Sequence, residues 1–386
     1  MPLPLYLLAL AVFAMGTSEF MLAGLIPDIA SDLGVSVGTA GLLTSAFAVG
    51  MVVGAPLVAA LSRNRPGRAG LVGFVVLFAA AHVVGAVTAN FAVLVATRIV
   101  AALANAGFLA LALTTATALV PPDKKGRALA VLLSGTTVAT IAGVPGGSVL
   151  GALLGWRATF WAVAALCVPA AVGILAGIPR RPVRDDRPGA PALRSELAQL
   201  GNPGLLLVML LGATVNAATF ASFTFLAPVV TETAGLGDLW ISVALVLFGT
   251  GSFVGVTVAG RLSDRRPGLV VAGGGPLLLI GWLALAVVAE HPGALLVLVF
   301  AQGALSFALG GTLIARVLYA APGAPTMAGS YATSALNIGA TAGPLIAATT
   351  LDTRAGDLGP LVSSALLVAM ALLIALPFRG RAGLVR

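Results

Sequence analysis

Long apolar runs separated by short polar loops make up almost the whole chain of 386 residues. Most of the runs reach about 17–25 residues or more, the length that an α-helix needs to cross the hydrocarbon core of a bilayer. The pattern therefore predicts an all-α integral membrane protein with twelve spans. The predicted spans are residues 4–27, 38–62, 69–89, 91–120, 127–153, 156–178, 203–230, 239–262, 269–289, 293–319, 327–350 and 360–378.

Charged residues in the loops give these spans an orientation. Basic clusters follow every second span, and we call that side of the bundle the basic end; acidic residues predominate at the other side, the acidic end. Cytoplasmic loops are enriched in Lys and Arg, so we expect the basic end and both termini to face the cytoplasm. The basic clusters are Arg63, Arg65 and Arg68; Lys124, Lys125 and Arg127; Arg180, Arg181, Arg184, Arg187 and Arg194; Arg261, Arg265 and Arg266; and Arg379, Arg381 and Arg386.

The two halves of the chain resemble each other when Gly54 is placed on Gly255, a shift of 201 residues. The same shift, without a gap, pairs Pro27 with Pro228, Phe47 with Phe248 and Gly50 with Gly251. A long polar loop rich in Arg and Pro separates the halves and is interpreted as a linker. We predict two pseudo-symmetric six-helix bundles, residues 1–178 and 203–386, joined by a cytoplasmic loop, residues 179–202.

Glu19 lies well inside the first span, where a charge costs about 2.5–3.5 kcal/mol even on lenient insertion scales. Arg98 in span 4 lies at a similar depth, about 12 Å below the acidic end, compared with about 14 Å for Glu19. Under the repeat their counterparts are apolar, Phe220 and Val299. We predict that the two form a proton-coupling or substrate-contacting pair. A permanent structural salt bridge is the alternative.

Other polar and aromatic side chains near the middle of the spans are candidates for a substrate pocket. Amides and aromatic rings together suit a neutral, partly apolar, drug-sized ligand, although each residue alone is readily explained by helix packing. The candidate substrate-binding residues are Glu19, Phe20, Asn105, Asn216, Phe220, Phe223, Tyr331 and Asn337. His82 lies toward the acidic end of span 3 and is interpreted as an interfacial residue.

The composition narrows the classes of function. The chain is 59% hydrophobic and 9% charged, whereas soluble domains have about 25% charged residues. The net charge of +8 is spread over the loops, so we expect no nucleic-acid partner. Two His and one Cys predict no metal site, and the sequence has no GxxxxGK[ST] nucleotide loop. We expect a transporter without a cofactor; a non-transporting polytopic membrane enzyme or sensor is the alternative from another class.

Three segments resemble the drug:proton antiporter branch of the major facilitator superfamily. The first is the opening, GTSEFMLAGLIPDIASDLG. The second is the loop after span 8, GRLSDRRPG, with its weaker copy after span 2, in which Asn64 replaces the acidic residue of the family pattern. The third is a Gly- and Pro-rich stretch of span 5. Within the branch, the chain is especially similar to the chloramphenicol-resistance efflux proteins of actinobacteria.

This resemblance implies a proton-coupled exporter of the bacterial inner membrane, a monomer whose leading substrate is chloramphenicol. A sugar or nucleoside exporter of the same fold is the alternative. It implies that the loops after spans 2 and 8 help to lock one conformational state of the transporter and so act as a gate. The gating residues are Arg65, Gly67, Arg68, Gly260, Asp264 and Arg265. It also implies an antiporter signature in span 5, formed by Gly143, Pro145, Gly146 and Gly147.

Overall fold

The computed structural model describes residues 2–61, 67–121, 124–178, 193–263, 267–324 and 327–378. These residues form twelve long helices, α1–α12, linked by turns and short helical segments. The bounds are α1 Leu3–Phe20, α2 Val37–Leu61, α3 Gly67–Val87, α4 Phe91–Ala118, α5 Lys125–Val138 with its continuation Val144–Leu154, α6 Trp156–Gly177, α7 Pro203–Thr224, α8 Leu239–Ser263, α9 Pro267–Val288, α10 Pro292–Ala320, α11 Ala328–Leu351 and α12 Gly359–Ala375.

Eleven of the helices in this part of the chain are long and apolar enough to cross a membrane. The exception is α11, whose 24 residues include several serines and threonines. Some of those hydroxyl groups face α2 and not lipid, since Ser334 Oγ donates to the Val52 carbonyl at 3.2 Å. In the same contact, Ser45 Oγ of α2 donates to the Thr341 carbonyl at 2.9 Å. α11 therefore has the length and position of predicted span 11, with a polar face that meets the other half.

The repeat seen in the sequence recurs in the packing of the two halves. An added methyl group at Gly50 of α2 would overlap the Ile99 carbonyl of α4. At Gly251 of α8, a methyl group would overlap the Phe300 carbonyl of α10. Ile99 and Phe300 are themselves related by the shift that pairs the two glycines. Close approach of α2 to α4 and of α8 to α10 thus requires a glycine at the same position of each half.

The first long helix of each half ends shortly before a proline, and the two prolines are at equivalent positions. α1 ends at Phe20 and is followed by a 3-10 turn, Met21–Gly24, and a short helix that begins just before Pro27. α7 ends at Thr224 and is followed by a short helix that ends at Pro228. Proline has no N–H for the carbonyl four residues earlier, so the α-helical ladder cannot run through it.

Two large hydrophobic cores lie side by side, and a small third cluster of Ala48, Phe220 and Ala340 packs against Phe20. One consists of side chains between Leu5 and Ile178, and the other consists of side chains from Leu205 onward together with Ala23 and Val144. The halves meet where α2 packs on α11 and where α5 packs on α8. They also meet at the acidic end, where the segments after α1 touch those after α7. The boundaries of the two bundles stay a prediction, because most of the linker lies outside the described residues.

Candidate functional site

The last turn of α1 is the centre of the candidate site, because it carries Ser18, Glu19 and Phe20 inside a membrane-spanning segment. The final carbonyl groups of an α-helix have no partner within the helix and attract hydrogen-bond donors. The negative pole of the helix dipole also lies there and favours a nearby cation. The break of α1 therefore creates, within a membrane-spanning segment, a place suited to a buried arginine.

Arg98 of α4 occupies this place and is 1% exposed. Its Nη1 atom donates to Ser18 Oγ at 2.8 Å, and its Nη2 atom donates to the Ser18 carbonyl at 2.7 Å. The guanidinium also lies over the Phe47 ring, 4.6 Å from the ring centroid. The sequence predicted Arg98 at the depth of Glu19, but it did not indicate that α1 ends there or that Ser18 binds the guanidinium.

Glu19 is half-buried, lies within electrostatic range of Arg98 and sits near the side chain of Asn105. Neither residue of the predicted pair has an ion pair within 4.0 Å; in the described part of the chain such a pair joins Arg157 and Asp32. The guanidinium thus holds the backbone and hydroxyl of Ser18, while the neighbouring carboxyl group remains without a direct cationic contact. This arrangement leaves Glu19 able to exchange a proton or meet a ligand.

His82 of α3, which the sequence suggested was interfacial, is 1% exposed and part of the same network. Its Nε2 atom lies 2.7 Å from Ser18 Oγ, and its Nδ1 atom lies 2.8 Å from the Phe78 carbonyl. The interfacial interpretation is therefore wrong, because the ring packs against Phe78 and Phe160 at centroid distances of 4.3 and 5.6 Å. A histidine inside an otherwise apolar span was the signal that could have identified it.

An aromatic cluster lies next to Glu19 where the two halves meet. Phe20 comes from α1, and its ring is 5.9 Å from Phe220 and 6.2 Å from Phe223 of α7. Phe223 continues the cluster to Phe248 of α8 at 4.8 Å, and Phe248 lies 6.1 Å from Phe307 of α10. Three predicted site residues, Phe20, Phe220 and Phe223, are thus brought together, and the sequence did not single out Phe248 and Phe307.

A narrow cavity opens beside this cluster. It has room for about one water molecule, so it does not accept a drug-sized ligand without separation of the halves. The lining is mostly apolar and comes from both halves. It consists of Phe20, Thr140, Val144, Phe223, Leu245, Phe248, Gly249, Ser252 and Phe307.

Asn216, Tyr331 and Asn337, also predicted to bind substrate, do not line this cavity. Asn216 Nδ2 donates to the Leu336 carbonyl at 2.7 Å and so joins α7 to α11. Asn337 Nδ2 donates to a carbonyl one turn earlier in its own helix, at 2.9 Å. The Tyr331 hydroxyl donates to the Glu196 carbonyl at 2.8 Å, which ties α11 to the short linker helix. In this state all three side chains donate to main-chain carbonyl groups.

The predicted signature of span 5 lies at a distortion of α5. A π-helical turn, Ala139–Gly143, interrupts the helix immediately before Pro145. Gly143 packs directly on Thr17, and Gly147 packs near Thr159, whose hydroxyl donates to the Gly147 carbonyl at 2.9 Å. Gly146 has open space around it. Two of the three signature glycines therefore allow close contact with α1 or α6, whereas Gly146 does not.

The predicted gate loops lie mostly outside the described residues. Arg65, Asp264 and Arg265 are not described, while Gly67 and Arg68 begin α3 and Gly260 lies in α8. The loop contacts that the resemblance implies stay a prediction.

Charged residues at the acidic end belong to two different arrangements. Asp32 accepts a hydrogen bond from Arg157, and this bond, helped by one from Trp156, holds the pKa of the carboxyl group below its usual value. Burial, together with the negative charge of Asp238, instead raises the pKa of Asp28. Asp32 is thus fixed within one half, while Asp28 faces a like charge from the other.

Comparison with known proteins decides the family. The sequence model of the Major Facilitator Superfamily matches residues 8–347. The chain belongs to the major facilitator superfamily. It is therefore a membrane transporter and not an enzyme, and the predicted family and fold class are confirmed.

Relatives within the superfamily cover nearly the full length of the chain. The chain is 76% identical over 379 residues to the chloramphenicol resistance protein of Streptomyces lividans, an alignment that covers 98% of this chain and 97% of that protein. It is 32% identical over 371 residues to the inner membrane transport protein YdhP of Escherichia coli (strain K12), covering 96% and 94%.

A solved structure has the same superfamily fold. A bacterial homologue of the human lysosomal transporter Spinster, crystallised in an inward-facing and unoccupied conformation, superimposes with a TM-score of 0.76. The superposition covers 97% of this chain and 94% of that one, at 17% sequence identity. The likeness supports the arrangement of helices and leaves the substrate open.

Proposed function

We propose that this transporter exports chloramphenicol, or a closely related drug-like molecule, in exchange for protons. It works as a monomer in the bacterial inner membrane, with the basic end in the cytoplasm. The assignment of the substrate is supported by the extensive identity with the Streptomyces lividans chloramphenicol resistance protein. The assignment of proton coupling rests on the last turn of α1.

The observation that carries proton coupling is a carboxyl group in the membrane interior without a direct cationic contact. Glu19 lies at the break of α1, and the guanidinium at the same depth is engaged by Ser18. An ionised carboxylate in such a place must be paired or must take up a proton. Glu19 therefore serves as the group that is protonated from one side and deprotonated toward the other.

Proton and drug compete for the same region. A protonated Glu19 is neutral, and it allows the halves to close over the aromatic cluster without burying a charge. After the proton leaves, the carboxylate attracts the hydroxyl and amide N–H donors of a bound drug. Chloramphenicol has such donors together with a neutral aromatic ring, which suits the faces of Phe20 and Phe223.

Opening follows from the way in which the halves meet. The cavity beside the aromatic cluster is closed to a drug, and it is lined by residues of both halves. A rocking motion of one bundle against the other, as in transporters of this architecture, would enlarge it. Such a motion changes the contacts between the halves, namely those of α2 with α11, of α5 with α8 and of the segments at the acidic end.

Two measurements test this proposal. Expression in a susceptible bacterial host should raise the chloramphenicol concentration that stops growth. Purified protein in liposomes should move protons when chloramphenicol is added and should accumulate the drug when a pH gradient is imposed. An unchanged resistance together with no drug-dependent proton movement would reject the drug assignment.

A ligand panel separates the proposal from its alternative. Chloramphenicol should raise the thermal unfolding temperature of the purified protein, since a ligand that binds the folded form stabilises it. Stabilisation by a sugar or a nucleoside, with none by chloramphenicol, would instead make the protein a proton-coupled exporter of that substrate class.

A further inference from the structure

A continuous chain of hydrogen bonds links three helices of the first half. Phe78 and His82 of α3, Ser18 of α1 and Arg98 of α4 follow one another at distances of 2.8, 2.7 and 2.8 Å. Ser18 is the central member, and it also binds Arg98 through its main-chain carbonyl. The histidine has no role in the proton exchange proposed for Glu19, and its place in this chain requires an explanation.

The positions of the protons follow from the chemistry of the end groups. The Phe78 carbonyl only accepts, so Nδ1 of His82 must carry the proton and donate to it. The guanidinium only donates, so Ser18 Oγ must accept from Arg98. In the neutral imidazole, Nε2 is then an acceptor for the Ser18 hydroxyl proton. The histidine thus directs that proton away from α1 and keeps an oxygen lone pair turned toward Arg98.

The second half of the molecule contains the same hydroxyl position without a histidine. The repeat pairs Ser18 with Thr219 and His82 with Leu283. The Thr219 hydroxyl donates to the Val215 carbonyl, one turn earlier in its own helix, at 3.1 Å. This internal bond is the usual arrangement of a hydroxyl group on a helix. The comparison indicates that His82 prevents Ser18 from turning back on α1.

We infer that His82 is a positioning residue that holds Arg98, through Ser18, on the end of α1 and away from Glu19. The inference rests on the proposed proton exchange at Glu19. Arg98 is the charged group within electrostatic range of His82, and α6 contributes the Phe160 ring. Without the histidine, the Ser18 hydroxyl returns to its own helix, and one anchor of the guanidinium is lost.

The expected result of that loss concerns the pH dependence of transport. A guanidinium released from Ser18 moves toward Glu19 and favours the charged form of the carboxyl group. Drug-dependent proton exchange by His82→Phe should therefore fall about tenfold at neutral pH, equivalent to about 1.4 kcal/mol. Its pH profile should also move toward acid.

Rescue by an acceptor separates positioning from proton transfer. The side-chain oxygen of His82→Gln can replace Nε2 as an acceptor, although glutamine does not titrate. His82→Gln should retain the wild-type pH profile and most of the activity. Equal defects in His82→Gln and His82→Phe would overturn the inference and make the histidine a proton carrier, while wild-type behaviour of His82→Phe would also overturn it.

A second variant tests the same link in case His82→Phe fails to fold. Ser18→Ala removes the same link with a small change in volume and should reproduce the defect of His82→Phe. The double variant should be no worse than either single one, because both remove one interaction. Additive losses would overturn the inference. Thr219→Ala in the second half is the matched control and should transport normally.

Spectroscopy provides a readout that does not depend on transport. The chain has two histidines, so ¹⁵N-histidine labelling with His291→Gln isolates the signal of His82. The expected spectrum is that of the neutral tautomer with its proton on Nδ1, and a proton on Nε2 would overturn the inference. If the wild type exchanges no protons for drug, the proposed function fails, even though the tautomer is found as expected.

Discussion

The two halves of this transporter repeat the same scaffold but not the same chemistry. Gly50 and Gly251 allow the same close approach of two helices, and Pro27 and Pro228 accompany the same break. In the network around the end of α1, however, the first half has charged or titratable residues at three positions where the second half has apolar residues. Glu19 corresponds to Phe220, Arg98 to Val299 and His82 to Leu283.

The residues that recur in both halves are those that helix packing requires, whereas the residues found in one half only are those proposed to act in transport. Packing of a helical bundle imposes the same requirements twice, so glycines and prolines recur. An ionisable group inside the membrane is costly, and the proposed proton exchange needs only a single set of such groups. The first half supplies the charged network, and the second supplies most of the aromatic cluster.

Glu19→Gln should have the largest effect, because it removes the titratable group that distinguishes this position from Phe220 in the second half. We expect loss of proton-coupled export with retention of the folded protein, since glutamine has nearly the same shape. Drug accumulation in liposomes under an imposed pH gradient measures the effect. Phe220→Leu, at the equivalent position of the second half, should weaken drug binding but leave accumulation dependent on the pH gradient. Full export by Glu19→Gln would remove Glu19 from the mechanism.

Alanine substitutions of glycine compare the contacts of α11 and α5. A methyl group at Gly343 overlaps the Ala217 carbonyl of α7, which is backbone and cannot turn away. Gly343→Ala should lower stability by about 1–3 kcal/mol, measured by thermal unfolding in detergent. Gly143→Ala meets the Thr17 hydroxyl, which can rotate, and should be milder. Gly146→Ala, with open space, is the control. Equal losses at Gly343 and Gly143 would contradict this account.

Phe20 is the contribution of the first half to an aromatic cluster that otherwise belongs to the second. Phe20→Leu removes two ring contacts and should weaken chloramphenicol binding by up to about tenfold. Equilibrium binding to the purified protein measures the change. Phe253 on α8 is 49% exposed on the outside of the bundle, and Phe253→Leu should bind normally. Equal affinities of the wild type and Phe20→Leu would exclude the cluster from the binding site.

The smallest effect is expected at the acidic end, where Asp28 faces Asp238 across the halves. The pKa of Asp28 is raised, so the folded protein loses stability as pH rises from the ordinary value of 3.8 through the raised one. Asp238→Asn should relieve this and stabilise the protein at neutral pH by less than about 0.5 kcal/mol, because both groups are near solvent. Thermal unfolding at several pH values measures it.

Asp32 provides the control of opposite sign. Its pKa is lowered, so its contribution is present above the ordinary value of 3.8 and is lost as pH falls through the lowered one. Asp32→Asn should therefore destabilise the protein at neutral pH. A benefit of Asp238→Asn that persists in acid, where Asp28 is protonated, would contradict the repulsion.

Much of the fold could be predicted from the sequence because its causes are local. Eleven of the predicted spans coincide with helices that are long and apolar enough to cross a membrane. α11 shows the limit of that reasoning, since its serines and threonines lower its apolar character, and their partners lie on α2. The repeat was also visible in advance, because Gly and Pro are required wherever helices approach closely or break.

The candidate site could be predicted only in part. The depth of a residue in the membrane follows from its position along the helix, so the sequence predicted similar depths for Glu19 and Arg98. The choice of partner does not follow, since Arg98 had both Glu19 and the broken end of α1 within range and binds Ser18. Asn216 was also at the right depth, yet it bonds to α11.

The sequence by itself determined that the chain spans the membrane, that its halves are related and that one acid lies where lipid would not tolerate it. The tertiary structure decided which groups contact the neighbours of that acid. Arg98 binds Ser18, Ser18 binds His82, and aromatic rings of the second half pack beside Phe20. The physical reason is that apolar length and residue count fix position along a helix axis. The rotation of each helix about its axis depends on packing against helices that are distant in sequence.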